Sequence, residues 1–508
     1  MLSLLATVPI IVPTVLCLTV CIFSPTFPIL DNPYLLSHST YYTLIVIELV
    51  ILLPRLLGIS SVVEGLPVPS NSLPIFGHAL SFTSTTPWNL MSTWHSHLGK
   101  TYTFTLFSRP CISTTDKGFL HLILHKNHSK FGKDVVFTYY PFLTILGGGI
   151  VTSNSLRWRK KRTAYSKHLR IDMLESVPSI TLNSYTHNIN FTEPIVDLNS
   201  IYRHLTLSVI SNLMLSLSPT EAINNFGRLY LPVMEECNKR VWDPTRQFGV
   251  WRRSWFKHIK ECRELNEYVK GLVFKRISER IEKRKQGEYS DKDGLDLFLS
   301  SSSLVSKIIV QDIVDEIKTF VLAGHETTAS MLSWCTAEVC FSMEVLKKLQ
   351  KEADEVWGNC GTPDYSKLIY AEACLRETLR KHSVVPTVTR SVNEDFTFED
   401  IVYKKGTTVM VGIQGVHLDP ENWVEPEVFK PERFSKFEDV KEYTFLPFIG
   451  GPRNCLGQYI AMLEAKIVIS KIFYEYELEV FEGGREKDGF VVPVVPKDGV
   501  KVKWKKRR

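Results

Sequence analysis

The sequence predicts a mainly α-helical domain with a minor β component, an α+β fold, preceded by a separate apolar segment. Most of the chain beyond residue 86 has apolar residues at the three- and four-residue spacing of helices that are buried on one face. A few shorter stretches instead alternate polar and apolar residues and are rich in β-branched and aromatic types, as strands are. Helices should therefore dominate, and the sheet should be small.

The N-terminal segment differs from the rest of the chain. Residues 1–30 carry no charge, and a second apolar run over residues 41–59 is interrupted by Glu48, Pro54 and Arg55. A helix needs about 20 apolar residues to cross a bilayer. We expect a membrane anchor with one or two hydrophobic segments and a hinge over residues 1–65, and a folded domain over residues 66–508. A cleaved signal peptide is the alternative, although the run lacks a basic start.

The elements of the folded domain follow from these patterns. The strands are expected within residues 101–111, 396–411 and 477–502. The helices are expected at residues 87–100, 155–170, 201–215, 262–286, 311–341, 343–357, 366–381 and 456–473. No linker or internal repeat interrupts residues 66–508, so we expect one large domain.

Charge and cysteine content exclude several classes of protein. The 60 Lys and Arg residues exceed the 54 Asp and Glu residues by only 6, and the basic residues form no array that suits nucleic acid. An acidic protein partner or an anionic lipid surface fits this mild excess better. The ten cysteines include no CxxC pair, which argues against structural zinc and against a disulfide framework.

A glycine-rich loop around Cys455 is the most specific local pattern. Cys455 comes just before a predicted helix, where the helix dipole and free N–H groups favour a thiolate over a thiol. Gly451 and Gly457 allow tight turns and close approach of the backbone to a flat cofactor. Arg453 is near enough to pair with a carboxylate of such a cofactor. A buried structural cysteine is the plainer alternative.

These residues resemble the cysteine-ligand signature of the cytochrome P450 family. All five positions of that signature are filled in this sequence. The positions are Phe448, Gly451, Arg453, Cys455 and Gly457. The resemblance implies the cytochrome P450 fold, a large helical domain with a small β subdomain, and it implies haem b with Cys455 as the iron ligand. In such proteins the thiolate pushes electron density onto the iron and favours O–O cleavage. Residues 66–508 would then form the haem-binding catalytic domain.

The centre of the predicted helix over residues 311–341 carries an unusual run from Ala323 to Thr328. Glycine, an acid and two hydroxyls at mid-helix violate helix propensity, which often marks a functional site. The run resembles the family's oxygen-activation motif. That resemblance implies that Ala323 and Gly324 border the cofactor and that Glu326 and Thr327 deliver protons. A solvated helix face with a back-bonded threonine is the alternative reading.

Further motifs follow in the family's order. Glu377 and Arg380 are spaced as a helical salt bridge, and the resemblance implies that they form a buried network with Arg433 that supports the haem loop. Trp158 and Arg162 share one helical face, and the resemblance implies that they and Arg390 bind the haem propionates. Core packing for Trp158 and solvent exposure for the two arginines are the alternatives.

The resemblance implies a monooxygenase that inserts one oxygen atom from O2 into a lipophilic substrate such as a fatty acid, sterol, terpenoid or carotenoid. Electrons would come from NADPH through an acidic cytochrome P450 reductase, with cytochrome b5 as an optional partner. A basic docking face is expected around Arg157, Arg159, Lys160 and Lys161, with Lys466 and Lys471. We expect the endoplasmic reticulum membrane, with the catalytic domain in the cytosol. A haem-thiolate isomerase or dehydratase of lipid peroxides and a non-catalytic membrane haem-binding protein are the alternatives.

Overall fold

The structure, a computed structural model, describes residues 62–507 apart from residues 74–75, 84–85, 108, 171–172, 243–251, 286–292, 301–306, 360, 438–439 and 487–492. The expected membrane anchor therefore lies outside the described residues, except for its last four positions. Within the described part of the chain, no helix combines the length and the apolar character needed to cross a bilayer.

Helices make up most of the described chain, as predicted. In chain order they are α1 (Pro87–Leu98), α2 (Lys117–His121), α3 (Leu143–Leu146), α4 (Ser155–Arg170), α5 (Val177–Asn188), α6 (Leu198–Leu215), α7 (Pro219–Glu221), α8 (Arg228–Trp242), α9 (Arg252–Lys285), α10 (Gly294–Ser300), α11 (Lys307–Phe341), α12 (Met343–Trp357), α13 (Ile369–His382), α14 (Ile413–Leu418) and α15 (Gln458–Glu475). Shorter 3-10 turns include Pro431–Phe434 and Gly451–Arg453.

The strands form three small sheets. They are β1 (Thr101–Leu106), β2 (Arg109–Thr114), β3 (Phe131–Gly132), β4 (Ile195–Asp197), β5 (Val388–Val392), β6 (Phe396–Phe398), β7 (Ile401–Tyr403), β8 (Thr408–Val411), β9 (Tyr476–Gly483) and β10 (Val500–Lys506). The largest sheet has the order β1-β2-β8-β5-β3, with only β2 and β8 parallel. The others are β4-β10-β9 and the β6-β7 hairpin.

The central helix α11 organises the helical core. Val314, Ile317 and Val321 recur at helical spacing and are fully buried. Helix α6 runs along α11 in the opposite direction, since the Tyr202 hydroxyl bonds Thr336 at 2.9 Å while Thr206 donates to the carbonyl of His325 at 3.0 Å. This packing buries one face of the middle of α11, where the Ala323–Thr328 run lies.

Two helices that periodicity did not predict, α5 and α8, each contain a proline. Pro178 lies in the first turn of α5, where a missing N–H costs nothing because that donor would be unpaired anyway. Pro232 lies inside α8, directly after the π-helical turn Ala222–Gly227. Helix α9 also begins ten residues before the predicted start at residue 262. These two prolines therefore do not end the helices that contain them, although proline usually disfavours helix.

A buried ion network ties α13 to the loop that follows α14. Both oxygens of the Glu377 carboxylate accept from Arg380, at 2.8 and 2.7 Å, and one also accepts from Arg433 at 3.2 Å. The backbone N–H of Lys430 adds a fourth bond at 2.9 Å. Glu377 and Arg380 are completely buried, so the pair is not the surface salt bridge that spacing alone would suggest.

We predict that Glu377→Gln lowers the free energy of unfolding by about 3–5 kcal/mol, because the buried Arg380 and the partly buried Arg433 lose their compensating charge. Glu372→Gln is the matched control. Its carboxylate lies on the same helix, pairs with Arg376 and Lys466, and stays 30% exposed, so we expect a loss of at most about 1 kcal/mol. Urea unfolding of the two variants checks this. Equal losses would show that the network contributes no more than a surface pair.

Candidate functional site

The loop before α15 fixes Cys455 through its backbone. The Cys455 N–H donates to the carbonyl of Phe448 at 2.9 Å, and the chain between them turns through the 3-10 segment Gly451–Arg453. Gly451 has a positive φ of 71°, and a Cβ there would overlap the carbonyl oxygen of Leu124. A glycine is therefore required at 451 by the protein itself. A Cβ at Gly457, by contrast, meets no described protein atom within 4 Å.

Opposing effects act on the Cys455 thiol. The residue is exposed in the described protein, yet desolvation by the surrounding protein raises the pKa of its thiol, while the N–H groups of Gly457 and Gln458 and the charge of Arg162 lower it. The helix N-terminus therefore favours the thiolate, but desolvation is the larger effect. A metal cation would outweigh the desolvation, since a coordinated thiol is deprotonated outright.

Several cations gather near this loop without acidic partners among the described residues. Arg390 is buried, Arg453 is partly buried, and burial together with mutual repulsion lowers the pKa of Arg453 to about 10. Burial likewise lowers the pKa of Lys133, whose Nζ donates to the Tyr139 hydroxyl at 2.8 Å. Burial alone would raise the pKa of Tyr139, yet these three cations lower it. The cluster is therefore short of negative charge.

Trp158 and Arg162 on α4 lie beside the same loop. The Arg453 guanidinium stacks over the Trp158 ring at 4.1 Å, which is a cation–π contact. Arg162 donates to the carbonyl of Asn454 at 2.5 Å and also to its side-chain oxygen. Both residues thus contact neighbours of Cys455. Trp158 is at the same time buried in the main core, which is also what its core-packing alternative expects.

The polar run on α11 splits between two faces. Ala323 is exposed, and Thr327 is partly exposed and donates to the Ala323 carbonyl at 2.6 Å. Glu326 is buried on another face, where its carboxylate pairs with Arg203 of α6 at 2.7 Å. A Cβ at Gly324 would lie 2.8 Å from side-chain carbons of Ile210. Helix packing therefore explains glycine at 324 without any cofactor.

His325, within the same run, lies in the core. It is fully buried, and its ring meets Tyr230 edge-on at 5.7 Å. Burial lowers the pKa of His325 to about 4, so the imidazole is neutral near neutral pH.

Comparison with known proteins now decides the family. A family profile for cytochrome P450 matches residues 67–504, which is most of the chain. The chain belongs to the cytochrome P450 family. It is 28% identical to cytochrome P450 4V2 of Rattus norvegicus over 403 residues, 74% of this chain and 77% of that protein. It is 25% identical to cytochrome P450 4e2 of Drosophila melanogaster over 452 residues, 82% of this chain and 84% of that protein.

Membership in the cytochrome P450 family makes this chain a haem-thiolate monooxygenase and explains the mainly helical fold with small sheets. The family implies haem b, a small-molecule substrate, O2 and a redox partner. The described residues fit haem b on two counts. Cys455 offers one soft donor on a rigid loop, and the cluster of Lys133, Arg390 and Arg453 lacks the carboxylates that two propionates would bring.

Sequence reasoning missed three residues of this region. Lys133 and Tyr139 lie between the predicted elements and belong to no motif, and Arg203 is an ordinary basic residue within a predicted helix. A lysine followed six residues later by a tyrosine is no recognised pattern. Only the fold brings Lys133 to Arg390 and Arg203 to Glu326.

We predict that Lys133→Met makes haem dissociate about tenfold to a hundredfold faster, because a charge-assisted bond to a carboxylate is lost. The haem-free variant should unfold at the same temperature as the wild type or higher, since a desolvated cation is removed. Transfer of haem to a scavenging protein and thermal unfolding measure the two effects. The exposed Lys126→Met is the control. Unchanged haem dissociation would exclude Lys133 from the site.

Proposed function

We propose that this chain inserts one oxygen atom from O2 into a lipophilic substrate of the fatty acid, sterol, terpenoid or carotenoid type, using electrons from NADPH through a reductase. The observation that carries the proposal is the accessible Thr327 hydroxyl at the middle of α11, one turn after the exposed Ala323. The neighbouring polar side chains of the same run, His325, Glu326 and Thr328, are buried. An intact proton donor at this position favours oxygen insertion over the isomerisation or dehydration of peroxides.

The cofactor roles are assigned as follows. Cys455 would ligate the iron, with Phe448, Gly451 and Gly457 shaping its loop. When bound, the haem supplies the redox chemistry that activates oxygen. The propionate-binding residues would be Trp158, Arg162, Arg390 and Arg453, together with Lys133. Ala323 would border the cofactor. The same role for Gly324 stays a prediction, since its contact with Ile210 already accounts for it.

Proton delivery would use Glu326 and Thr327 as acid and alcohol. In the structure the Thr327 hydroxyl donates its hydrogen bond to the Ala323 carbonyl, and the Glu326 carboxylate accepts one from Arg203. A proton that passes from Glu326 to Thr327 therefore requires the carboxylate to leave Arg203, or a water molecule to bridge them. Arg203 is 39% exposed, so the ion pair connects the centre of α11 with bulk water.

The apolar stretch around α3, which we propose lies beside the substrate, supports a lipophilic substrate. Phe142 lies just before α3 and Val151 lies after it, and both are partly buried against the main core. Ile145 and Leu146 of α3 are buried. Such a segment offers dispersion and hydrophobic contacts and few hydrogen bonds, which suits a substrate with long apolar parts.

We predict that Thr327→Val lowers product formation by about a hundredfold, because a positioned general acid contributes at least that much. Thr328→Val is the matched control, since Thr328 is the adjacent hydroxyl and is buried. The assay incubates the haem-loaded chain with reductase, NADPH, labelled O2 and one substrate of each class. One labelled atom in a product supports the proposal. An unlabelled, rearranged product, or no NADPH consumption with any substrate, contradicts it.

The reductase would dock near the start of α4. Arg159 and Lys160 are exposed there, and they remain available to an acidic surface. The expected face is smaller than the sequence suggested. Arg157 pairs with Asp312, Lys161 with Glu316, Lys466 with Glu372 and Lys471 with Glu475. Intramolecular pairing reduces what these four can offer a partner. The same face would receive cytochrome b5, if it takes part.

We predict that the double variant Arg159→Glu, Lys160→Glu raises the reductase concentration for half-maximal turnover about tenfold and weakens its salt dependence, because opposite charges steer the two proteins together. Lys367→Glu with Lys404→Glu is the control, since both lysines are 71% exposed on other parts of the surface. Equal effects of the two pairs would indicate a net-charge effect and would contradict docking at α4.

We further propose that residues 1–65 anchor the enzyme in the endoplasmic reticulum membrane with residues 66–508 in the cytosol. The uncharged run over residues 1–30 supports this, because it is long enough to span a bilayer. Exposed Phe256 near the start of α9 would suit contact with the bilayer surface. Release of a chain lacking residues 1–61 from the membrane fraction is expected, and unchanged membrane association would require a second attachment.

A further inference from the structure

His417 in α14 lies between the buried ion network and the segment that leads to Cys455. It is fully buried, and each ring nitrogen has a partner from a different part of the chain. The backbone N–H of Leu446 donates to Nε2 at 2.7 Å, and Nδ1 lies 2.9 Å from the Ser383 hydroxyl oxygen. Leu446 is two residues before Phe448, whose carbonyl accepts from the Cys455 N–H.

These contacts fix the protonation of the ring. A peptide N–H can only donate, so Nε2 of His417 must be an unprotonated acceptor. The single proton of the neutral ring is then on Nδ1, and it donates to Ser383. The Ser383 hydroxyl in turn donates to the carbonyl of Arg380 at 3.3 Å. The bonds therefore all run in one direction, from the Leu446 amide to the end of α13.

The same histidine also contacts the ion network directly. Arg380 Nη1 donates to the carbonyl of His417 at 3.0 Å, while the other guanidinium nitrogens hold Glu377. Arg380, Ser383 and His417 thus form a closed hydrogen-bonded ring at the C-terminal end of α13. Ser383 completes it in a left-handed conformation, with φ at 37°.

We propose that His417 is a positioning residue for the iron ligand, and that Ser383 holds its ring in the one tautomer that can accept from Leu446. Through this ring, the Glu377–Arg380 network fixes the position of Leu446 and of the segment that begins the Cys455 loop. Neither residue touches the cofactor or the substrate. The role rests on the proposed ligation by Cys455, but the link from His417 to Leu446 can be measured without it.

Hydrogen–deuterium exchange of the haem-loaded full chain tests the link, read by mass spectrometry on the peptide that contains Leu446. Ser383→Ala should speed exchange there about three- to tenfold, the loss expected for one hydrogen bond. His417→Phe should do so at least as strongly. Thr378→Val is the matched control, because it removes a buried hydroxyl on the same helix that donates to the Cys374 carbonyl at 2.8 Å and bonds the Cys335 thiol, rather than the His417 ring.

The spectrum of the reduced carbon monoxide complex gives the second readout. Ser383→Ala should convert part of the strongly red-shifted Soret band into an ordinary one, at a temperature where the protein stays folded, whereas Thr378→Val should not. If His417→Phe fails to fold, Ser383→Ala still decides. Exchange at Leu446 that matches the Thr378→Val variant would overturn the proposal. A wild-type protein without the red-shifted band would instead overturn ligation by Cys455, whatever the exchange shows.

Discussion

Burial of the Glu377 carboxylate ties together segments that are far apart in the chain. A fully desolvated carboxylate must be compensated, and here Arg380, Arg433 and the Lys430 amide surround it. Arg380 then reaches the carbonyl of His417, and His417 reaches the amide of Leu446. The segment before Cys455 is therefore anchored by the ion network and not by apolar contacts alone. A loop held in this way can keep a ligand in place while the helices around it move.

Around the site, by contrast, the buried charges are cations without a compensating carboxylate among the described residues. Burial lowers the pKa of Lys133, Arg390 and Arg453, the charge of Arg390 lowers the pKa of the other two further, and all three cations depress the pKa of Tyr139. Such a cluster costs folding free energy unless negative charge joins it. The raised pKa of Cys455 fits the same picture, since the protein alone does not stabilise its thiolate. Both features suit a fold whose site is completed by a cofactor with an iron centre and carboxylates.

Local patterns were enough to predict the class of fold and much of the site. The Cys455 loop, the run on α11 and the Glu377–Arg380 pair each carry chemistry in a short stretch, so the sequence can reveal them. Contacts between distant segments cannot be read in this way. Periodicity gives no sign that Glu326 turns to Arg203, that Gly324 packs on Ile210, or that Arg453 stacks on Trp158. The position of Cys455 before a helix was visible in the sequence, whereas the desolvation that opposes its effect on the thiol pKa was not.

Ligation of iron by the Cys455 sulfur is the central claim, and the absorption spectrum of the reduced carbon monoxide complex tests it most directly. The haem-loaded wild type is compared with Cys455→Ser, which keeps the size of the side chain and removes the soft donor. The account predicts a strongly red-shifted Soret band in the wild type and its absence in the variant. An ordinary, histidine-like band in the wild type, or the red-shifted band persisting in Cys455→Ser, would contradict it.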